Sequence, residues 1–189
     1  MTDDLTGPGD VRPPVPTELL DDPWFPFTGD VRVKALLDRV VPEPPRADLA
    51  GECEECARTD DTFVWTNANW RLTGHVPTEL AGLVLLETRE HYDSFVDFPD
   101  DLLAELGPLT ARIERAILGL GGIGRVHVAR YGDGGEHFHL WFMPRPLGAL
   151  QMRGSMLAVW MDVVPKVPDA AADEALARIA AALRTDSVG

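Results

Sequence analysis

The segment His137–Arg145 constrains this chain more than any other. With the side-chain period of two that a strand imposes, Phe138, Leu140 and Phe142 share one face, which is typical of a strand packed on a core. The opposite face carries two histidines, which could simply be exposed to solvent. A strand packed on a core needs no histidine, however, and two at this spacing favour a binding or catalytic site. The sequence therefore predicts a strand with an apolar face and a face that carries two imidazoles and an indole: His137, His139 and Trp141.

Composition and charge limit the class of partner. The chain has 189 residues, with 17 Lys and Arg against 31 Asp and Glu, so its formal net charge is -14. This surface disfavours wrapping of nucleic acid, although a local cluster of donors can still bind a small phosphate-bearing ligand. No apolar run has the length of a membrane span, and the acidic start of the chain is unlike a signal peptide. We expect a cytoplasmic protein without a nucleic-acid or membrane partner.

The pattern along the chain predicts an extension followed by one α+β domain. Residues 1–48 are rich in proline and form the predicted extension, with a short helix over Val31–Val40 and an aromatic cluster, Pro23–Phe27, that docks on the domain or on a second subunit. Residues 49–189 form the predicted domain, an antiparallel sheet with one long helix and a C-terminal helix. The strands are predicted at Thr62–Thr66, Trp70–Thr73, Gly82–Arg89, Arg125–Tyr131, the histidine segment and Ser155–Val164, and the helices at Asp100–Leu120 and Ala170–Leu183.

Cys53 and Cys56 are the two cysteines of the chain and are separated by two residues. This spacing is compatible with a redox pair, with two surface thiols or with a metal-binding knuckle. The surrounding glutamates oppose formation of a reactive thiolate, which favours the metal site. Zinc then needs two more ligands, and a closed set of four is typical of a structural ion. The candidate set is Cys53, Cys56, His91 at the end of a predicted buried strand, and His137.

The order of these motifs resembles the histidine-triad superfamily of nucleotidyl hydrolases and transferases. The resemblance covers residues 51 to about 146 and consists of the Cys-x-x-Cys pair, a histidine after a strand, a long helix, and a His-x-His strand followed by Pro-Arg. It is similar to the zinc-bearing branch that includes galactose-1-phosphate uridylyltransferase. The resemblance implies a histidine-triad-like α+β fold, a nucleotide-type substrate, a homodimer, and structural Zn²⁺ held by Cys53, Cys56, His91 and His137.

The resemblance also implies that His139 is the catalytic nucleophile. In the family, this histidine attacks the α-phosphorus of a nucleotide, and water or an acceptor then opens the covalent intermediate. A neutral imidazole is nucleophilic near pH 7 when an acceptor orients its second nitrogen. Backbone donors at Gly134 and Gly135 are candidates to bind the phosphate, together with Arg145 and, as weaker candidates, Arg130 and Arg153.

The third position of the triad is Trp141 instead of histidine. An indole donates one N–H but cannot shuttle a proton, so catalysis would need a leaving group of low pKa. Trp141 either contacts the ligand or packs at an interface. Glu136 would repel a phosphate unless it faces away, and Asn67 and Asn69 are candidates for a ribose contact. Two alternatives therefore stay open: a catalytically weak zinc- and nucleotide-binding module, and a pocket reused for another small-molecule reaction.

Overall fold

A computed structural model describes residues 24–27, 37–44, 46, 53–74 and 77–185. Within these ranges, the strands are β1 (Trp65–Thr66), β2 (Trp70–Gly74), β3 (Val84–Thr88), β4 (Ile123–Ala129) and β5 (His139–Pro146). The α-helices are α1 (Glu54–Ala57), α2 (Asp100–Leu118), α3 (Met156–Met161) and α4 (Asp169–Thr185), with 3₁₀ turns at Asp60–Thr62, Phe95–Asp97 and Leu150–Met152.

The five strands form one antiparallel sheet in the order β1-β2-β3-β5-β4. β3 therefore lies at its centre with β5 beside it, and their pairing aligns Leu86 with Leu140 and Glu87 with His139. This arrangement confirms the predicted α+β class with an antiparallel sheet, one long helix and a C-terminal helix.

The main core lies between one face of the sheet and helices α2 and α4. Alternate positions of β5 enter it, because Leu140 and Phe142 are buried together with Phe138 just before the strand. The α2 stripe supplies Leu109 and Ile113 at helical spacing. The apolar face predicted for the histidine segment is thus the face that packs on the two helices.

A second, smaller core covers part of the opposite face. Leu83 and Met143 pack there against Leu157, and Trp141 is partly buried beside them. The prediction of a strand over Ser155–Val164 is wrong, because Met156–Met161 form helix α3. Its short run of valine and tryptophan favours a strand locally, but Leu157 gains burial against the sheet when the segment is helical, and tertiary contacts of this kind override propensity.

Most of the predicted extension lies outside the described residues. The helix predicted over Val31–Val40 falls largely on residues 31–36, which lie outside the described residues, and the described residues 37–40 are not helical. The boundary between residues 48 and 49 remains a prediction. Two described parts of the extension contact the domain: Trp160 donates to the Trp24 carbonyl at 2.6 Å, and Arg46 donates to Asp93 and to the Gly132 carbonyl. Among the described helices, none is both long and apolar enough to cross a bilayer.

Two leucines of α2 test the position of the main core. Leu109 is 4% exposed and Leu103 is 40% exposed. We expect Leu109→Ala to lower the free energy of unfolding by about 2–5 kcal/mol, since it leaves a cavity between helix and sheet. Leu103→Ala is the matched control and should cost less than about 1 kcal/mol. Urea denaturation measures both, and equal losses would place the core elsewhere.

Candidate active site and metal centre

Four side chains from three separate segments converge beside the start of β5. Cys53 is the N-cap of helix α1, Cys56 lies within that helix, His91 follows β3, and His137 precedes β5. Their potential ligand atoms all lie within 4.8 Å of one another. The His137 Nδ1 atom is 3.5 Å from each cysteine Sγ, and the His91 Nδ1 atom is 3.6 Å from the Cys56 Sγ. The structure therefore brings together the four residues that the sequence nominated as metal ligands.

These separations fit tetrahedral zinc. Zn–S and Zn–N bonds of about 2.3 Å and 2.0–2.1 Å at a tetrahedral angle place nitrogen and sulfur about 3.6 Å apart. Two thiols and two imidazoles are also a usual donor set for structural zinc, and they leave no ligand position for substrate. The residues present therefore fit a zinc ion both in geometry and in chemistry.

Hydrogen bonding orients the ring of His137 toward the cysteines. Its Nε2 atom lies 2.8 Å from the Thr88 carbonyl, and a carbonyl can only accept, so Nε2 carries the proton. The lone pair of the neutral ring is then on Nδ1, which faces Cys53 and Cys56. Burial lowers the pKa of His137, which favours this neutral form. An outer hydrogen bond of this type fixes the tautomer of a metal ligand.

The thiol of Cys56 resists ionisation beside Cys53. Burial, followed by the hydrogen bond and charge of Cys53, raises the pKa of Cys56 to about 11. Two adjacent thiolates repel each other, whereas a divalent ion compensates both charges. The pair thus has the electrostatics of a metal knuckle.

His139 has the opposite arrangement of its ring nitrogens. Its Nδ1 atom lies 2.9 Å from the carbonyl of His137, so Nδ1 carries the proton and Nε2 bears the lone pair. The side chain is half-buried on the face of the sheet opposite the main core, and the ring meets the Trp141 ring edge-on at a centroid distance of 6.4 Å. The hydrogen bond at Nδ1 therefore holds the His139 imidazole in one orientation.

An acidic residue lies beside His139 on the adjacent strand. Glu87 is the register partner of His139 on one side and of Arg71 on the other, so the three lie in one row across the sheet. Glu87 is 4% exposed; it accepts from Thr73 at 2.5 Å and has Arg58 at 3.8 Å. Burial raises its pKa to about 7. Hydrophobic periodicity does not point to Glu87, although a charged residue within the apolar strand Val84–Thr88 is an available signal.

The residues predicted to bind substrate lie at different distances from His139 along the chain. Gly134 and Gly135 lie in the loop before β5, where a Cβ at Gly134 would meet no atom within 4 Å. Trp141 lies next along the face of His139 and packs on the second core. Arg145 is six residues beyond His139, about 20 Å at the rise of a strand, and its guanidinium donates to the carbonyls of Pro146 and Ala149.

The weaker candidates have structural contacts. Arg130 donates to the Asp93 carbonyl and lies over the rings of Phe95 and Phe138. Asn67 accepts from backbone N–H groups in the β1–β2 turn, and Asn69 donates to Glu105 on α2. Arg153 is exposed. None of these contacts directs the four side chains toward His139.

An arginine from the extension reaches the loops beside the site. Arg46 forms a two-point ion pair with Asp93, at 3.0 and 2.6 Å, and donates to the Gly132 carbonyl at 2.9 Å. The same guanidinium lies 3.4 Å from Glu136. Its hydrogen bond holds the pKa of Asp93 below the ordinary range. No pattern in the sequence predicts this contact, in which Arg46 and Gly132 are 86 residues apart.

The arrangement of strands and helices is similar to that of solved histidine triad proteins. A zinc-bound histidine triad family protein from Mycobacterium smegmatis superposes with a TM-score of 0.54 at 22% identity, covering 73% of this chain and 98% of that one. A histidine triad protein from Bradyrhizobium japonicum gives 0.51 at 18%, covering 65% and 87%. The chain has the histidine-triad fold. At these identities the likeness is one of fold.

A uridylyltransferase mutant shares the histidine-triad fold with a TM-score of 0.50 at 18% identity, covering 73% of this chain and 49% of that one. The present chain therefore spans about half the length of that enzyme. No protein-family model and no curated protein matches the sequence. The expected fold is thus confirmed, and the roles of individual residues rest on the geometry described above.

Metal analysis tests the four-residue cluster. We expect about one zinc per chain, and loss of zinc in Cys53→Ser and in His91→Ala, because each removes one of four ligands. His127→Ala is the matched control, since His127 lies on β4 and outside the cluster. Zinc content is measured by atomic emission and the melting temperature by calorimetry.

Chelation should lower the melting temperature of the wild type, and zinc should be released as the pH falls and its ligands are protonated. A fully folded protein without metal would contradict the assignment.

The pKa of Glu87 predicts a pH-dependent stability difference. Its pKa in the folded state is about 7, above the ordinary 4.5, so the folded state holds its proton more tightly than the unfolded state does. Ionisation thus destabilises the fold as the pH rises from about 4.5 to 7. Glu87→Gln should gain stability relative to the wild type over this range, by about 3 kcal/mol, with no further gain above pH 7.

Urea denaturation from pH 4.5 to 8 measures this difference. The charged or titratable neighbours of Glu87 are Arg58, Arg71, Glu55 and His139, and they are common to both proteins. A constant difference across the range would show that Glu87 ionises with an ordinary pKa.

Proposed function

We propose that this protein is a zinc-bearing member of the histidine-triad superfamily and acts as a nucleotidyl hydrolase or nucleotidyltransferase. The substrate would be a nucleoside phosphate ester, and the reaction would pass through a covalent intermediate on His139. Cys53, Cys56, His91 and His137 would hold the zinc. The ion would be structural, because the four ligands complete its coordination. The similarity of fold to a uridylyltransferase is consistent with this class of reaction.

The hydrogen bond from His139 Nδ1 to the His137 carbonyl carries the proposal. It leaves the lone pair on Nε2 and holds the ring in one orientation, as a nucleophilic imidazole requires. The carbonyl belongs to a residue whose own side chain faces the cysteines. A zinc ion bound there would therefore stiffen the backbone that orients the nucleophile.

In the proposed step, the Nε2 lone pair attacks the α-phosphorus and forms a P–N bond as the bond from phosphorus to the leaving oxygen breaks. The leaving group departs with that electron pair as a phosphate, pyrophosphate or sugar phosphate anion. Water or an acceptor hydroxyl then attacks phosphorus, and the P–N electrons return to Nε2. The entering hydroxyl loses its proton to solvent. Nδ1 keeps its proton throughout, so the carbonyl of His137 stabilises the positive charge that develops on the ring.

Trp141 limits the leaving groups that this site can expel. Its indole N–H can donate a hydrogen bond, but it cannot transfer a proton at neutral pH. Phosphate and sugar phosphate leaving groups need no protonation, whereas an amine does. The backbone of Gly134 and Gly135 would bind the phosphate oxygens. Arg145 is not included in this proposal, because of its distance along β5 and its bonds to the following turn.

A catalytically weak binding module is the second candidate. The partial burial of Trp141 in the second core favours it, because this residue then serves packing in place of chemistry. Such a module would retain the zinc and a nucleotide but would form no covalent intermediate. The homodimer that the sequence resemblance implies is compatible with both candidates, and light scattering would test it.

Trapping of the intermediate tests the proposed function. The wild type is incubated with nucleoside diphosphate sugars, dinucleoside polyphosphates and activated esters of AMP and UMP, and intact-mass spectrometry detects the adduct. We expect the mass of one nucleotidyl group on the wild type and none on His139→Ala, because Nε2 is the attacking atom. The loss in turnover should be at least about 10³-fold, typical for removal of a nucleophile.

His127→Ala is the control, since it removes a histidine from β4 and leaves β5 intact. It should form the adduct at the rate of the wild type. Binding of a nucleotide without an adduct from any donor would support the binding module. An adduct that persists in His139→Ala would move the nucleophile to another residue.

A further inference from the structure

Arg46 connects the extension to both loops that border the proposed substrate site. Asp93 lies two residues after His91, and Gly132 and Glu136 belong to the loop before β5. The guanidinium donates to Asp93 and to the Gly132 carbonyl and lies 3.4 Å from Glu136. It uses both terminal nitrogens, and its side chain is 31% exposed. One side chain thus joins three segments that are far apart in sequence.

Carboxylates beside Gly134 and Gly135 oppose the binding of an anionic ligand to this loop. Asp133 and Glu136 flank these glycines, and Asp93 lies against the same loop through Arg46. A phosphate at the glycines would be repelled by these carboxylates. The guanidinium groups of Arg46 and Arg130 offset these negative charges locally.

Arg130 is the second of these guanidiniums, and its position limits what it can do. It is 3.7 Å from Asp93, donates to the Asp93 carbonyl and lies over the ring of Phe138. Among the described residues, Arg46 is the cation that the structure places against Glu136. Glu136 also follows Gly134 and Gly135 directly in the chain, so it adjoins the backbone that is proposed to bind the phosphate.

We propose that Arg46 is a positioning residue that fixes the glycine loop and screens Glu136, so that the phosphate of a nucleotide can bind beside His139. The inference rests on the proposed function and assigns a role in it to the extension. Arg46 acts through Glu136 and the loop and does not touch the substrate. The domain alone would therefore bind phosphate-bearing ligands more weakly than the full chain.

The test compares charged and uncharged ligands in the full-length protein. Calorimetric titration measures the affinity for AMP and UMP, with adenosine and uridine as ligands that lack the phosphate. Arg46→Ala should weaken AMP and UMP about 3–10-fold at low salt, because it exposes the phosphate to an unscreened carboxylate. The nucleosides should be affected less than about 2-fold, and the effect on AMP should shrink toward 0.5 M salt.

Three variants separate charge from packing. Arg46→Lys keeps the charge but loses the two-point ion pair, and it should retain most of the affinity for AMP. Glu136→Gln combined with Arg46→Ala should restore AMP affinity to within about 2-fold of Glu136→Gln alone, since the charge to be screened is gone. Arg39→Ala is the matched control from the extension, because Arg39 is exposed and carries the same charge. It should bind AMP as the wild type does.

Each result decides the role of Arg46. Equal affinity of wild type and Arg46→Ala for AMP would overturn the proposal while leaving the proposed function intact. Weaker binding that Glu136→Gln does not rescue, or equal weakening of adenosine and AMP, would also overturn it and assign Arg46 to loop packing alone. A wild type that binds neither AMP nor UMP and forms no adduct would refute the proposed function, and the role of Arg46 would fall with it.

Discussion

The hydrogen bond between His137 Nε2 and the Thr88 carbonyl is the interaction on which the site depends. An imidazole has two nitrogens, and the use of one as a donor leaves the other as an acceptor or ligand. The bond therefore aims the Nδ1 atom of His137 at the two cysteines. The backbone of the same residue then accepts from His139. His137 and His139 thus engage opposite nitrogens, since Nε2 of His137 and Nδ1 of His139 donate to backbone carbonyls, and Nδ1 of His137 faces Cys53 and Cys56.

One face of the sheet forms the main core, and the opposite face carries the candidate site. One face packs on α2 and α4 and supplies most of the buried apolar surface. The opposite face holds a polar row, Arg71, Glu87 and His139, together with the smaller core around Trp141. Polar residues of this kind are tolerable there because arginine, threonine and backbone groups surround them. Because the first face supplies the main core, the second face can carry polar side chains.

Charge is the main constraint on any ligand of this protein. The chain is acidic overall, and carboxylates flank the glycines that would bind a phosphate. The structure compensates locally through Arg46 and Arg130, both of which contact Asp93. Local pairing of this type can dominate over net charge within a Debye length. The extension is therefore part of the electrostatic environment of the loop.

The sequence by itself determined the fold class, the histidine strand with its two faces, and the four residues, Cys53, Cys56, His91 and His137, that the structure brings together. These follow from local periods and from ligand types at short spacing, which the order of residues records directly. The structure alone decided that Ser155–Val164 contains a helix, that Glu87 lies beside His139 and that Arg46 meets Asp93. The burial of Leu157 and the pairing of residues 47 or more positions apart depend on how the elements pack. No local pattern encodes such contacts, because their energy exists only once the chain is folded.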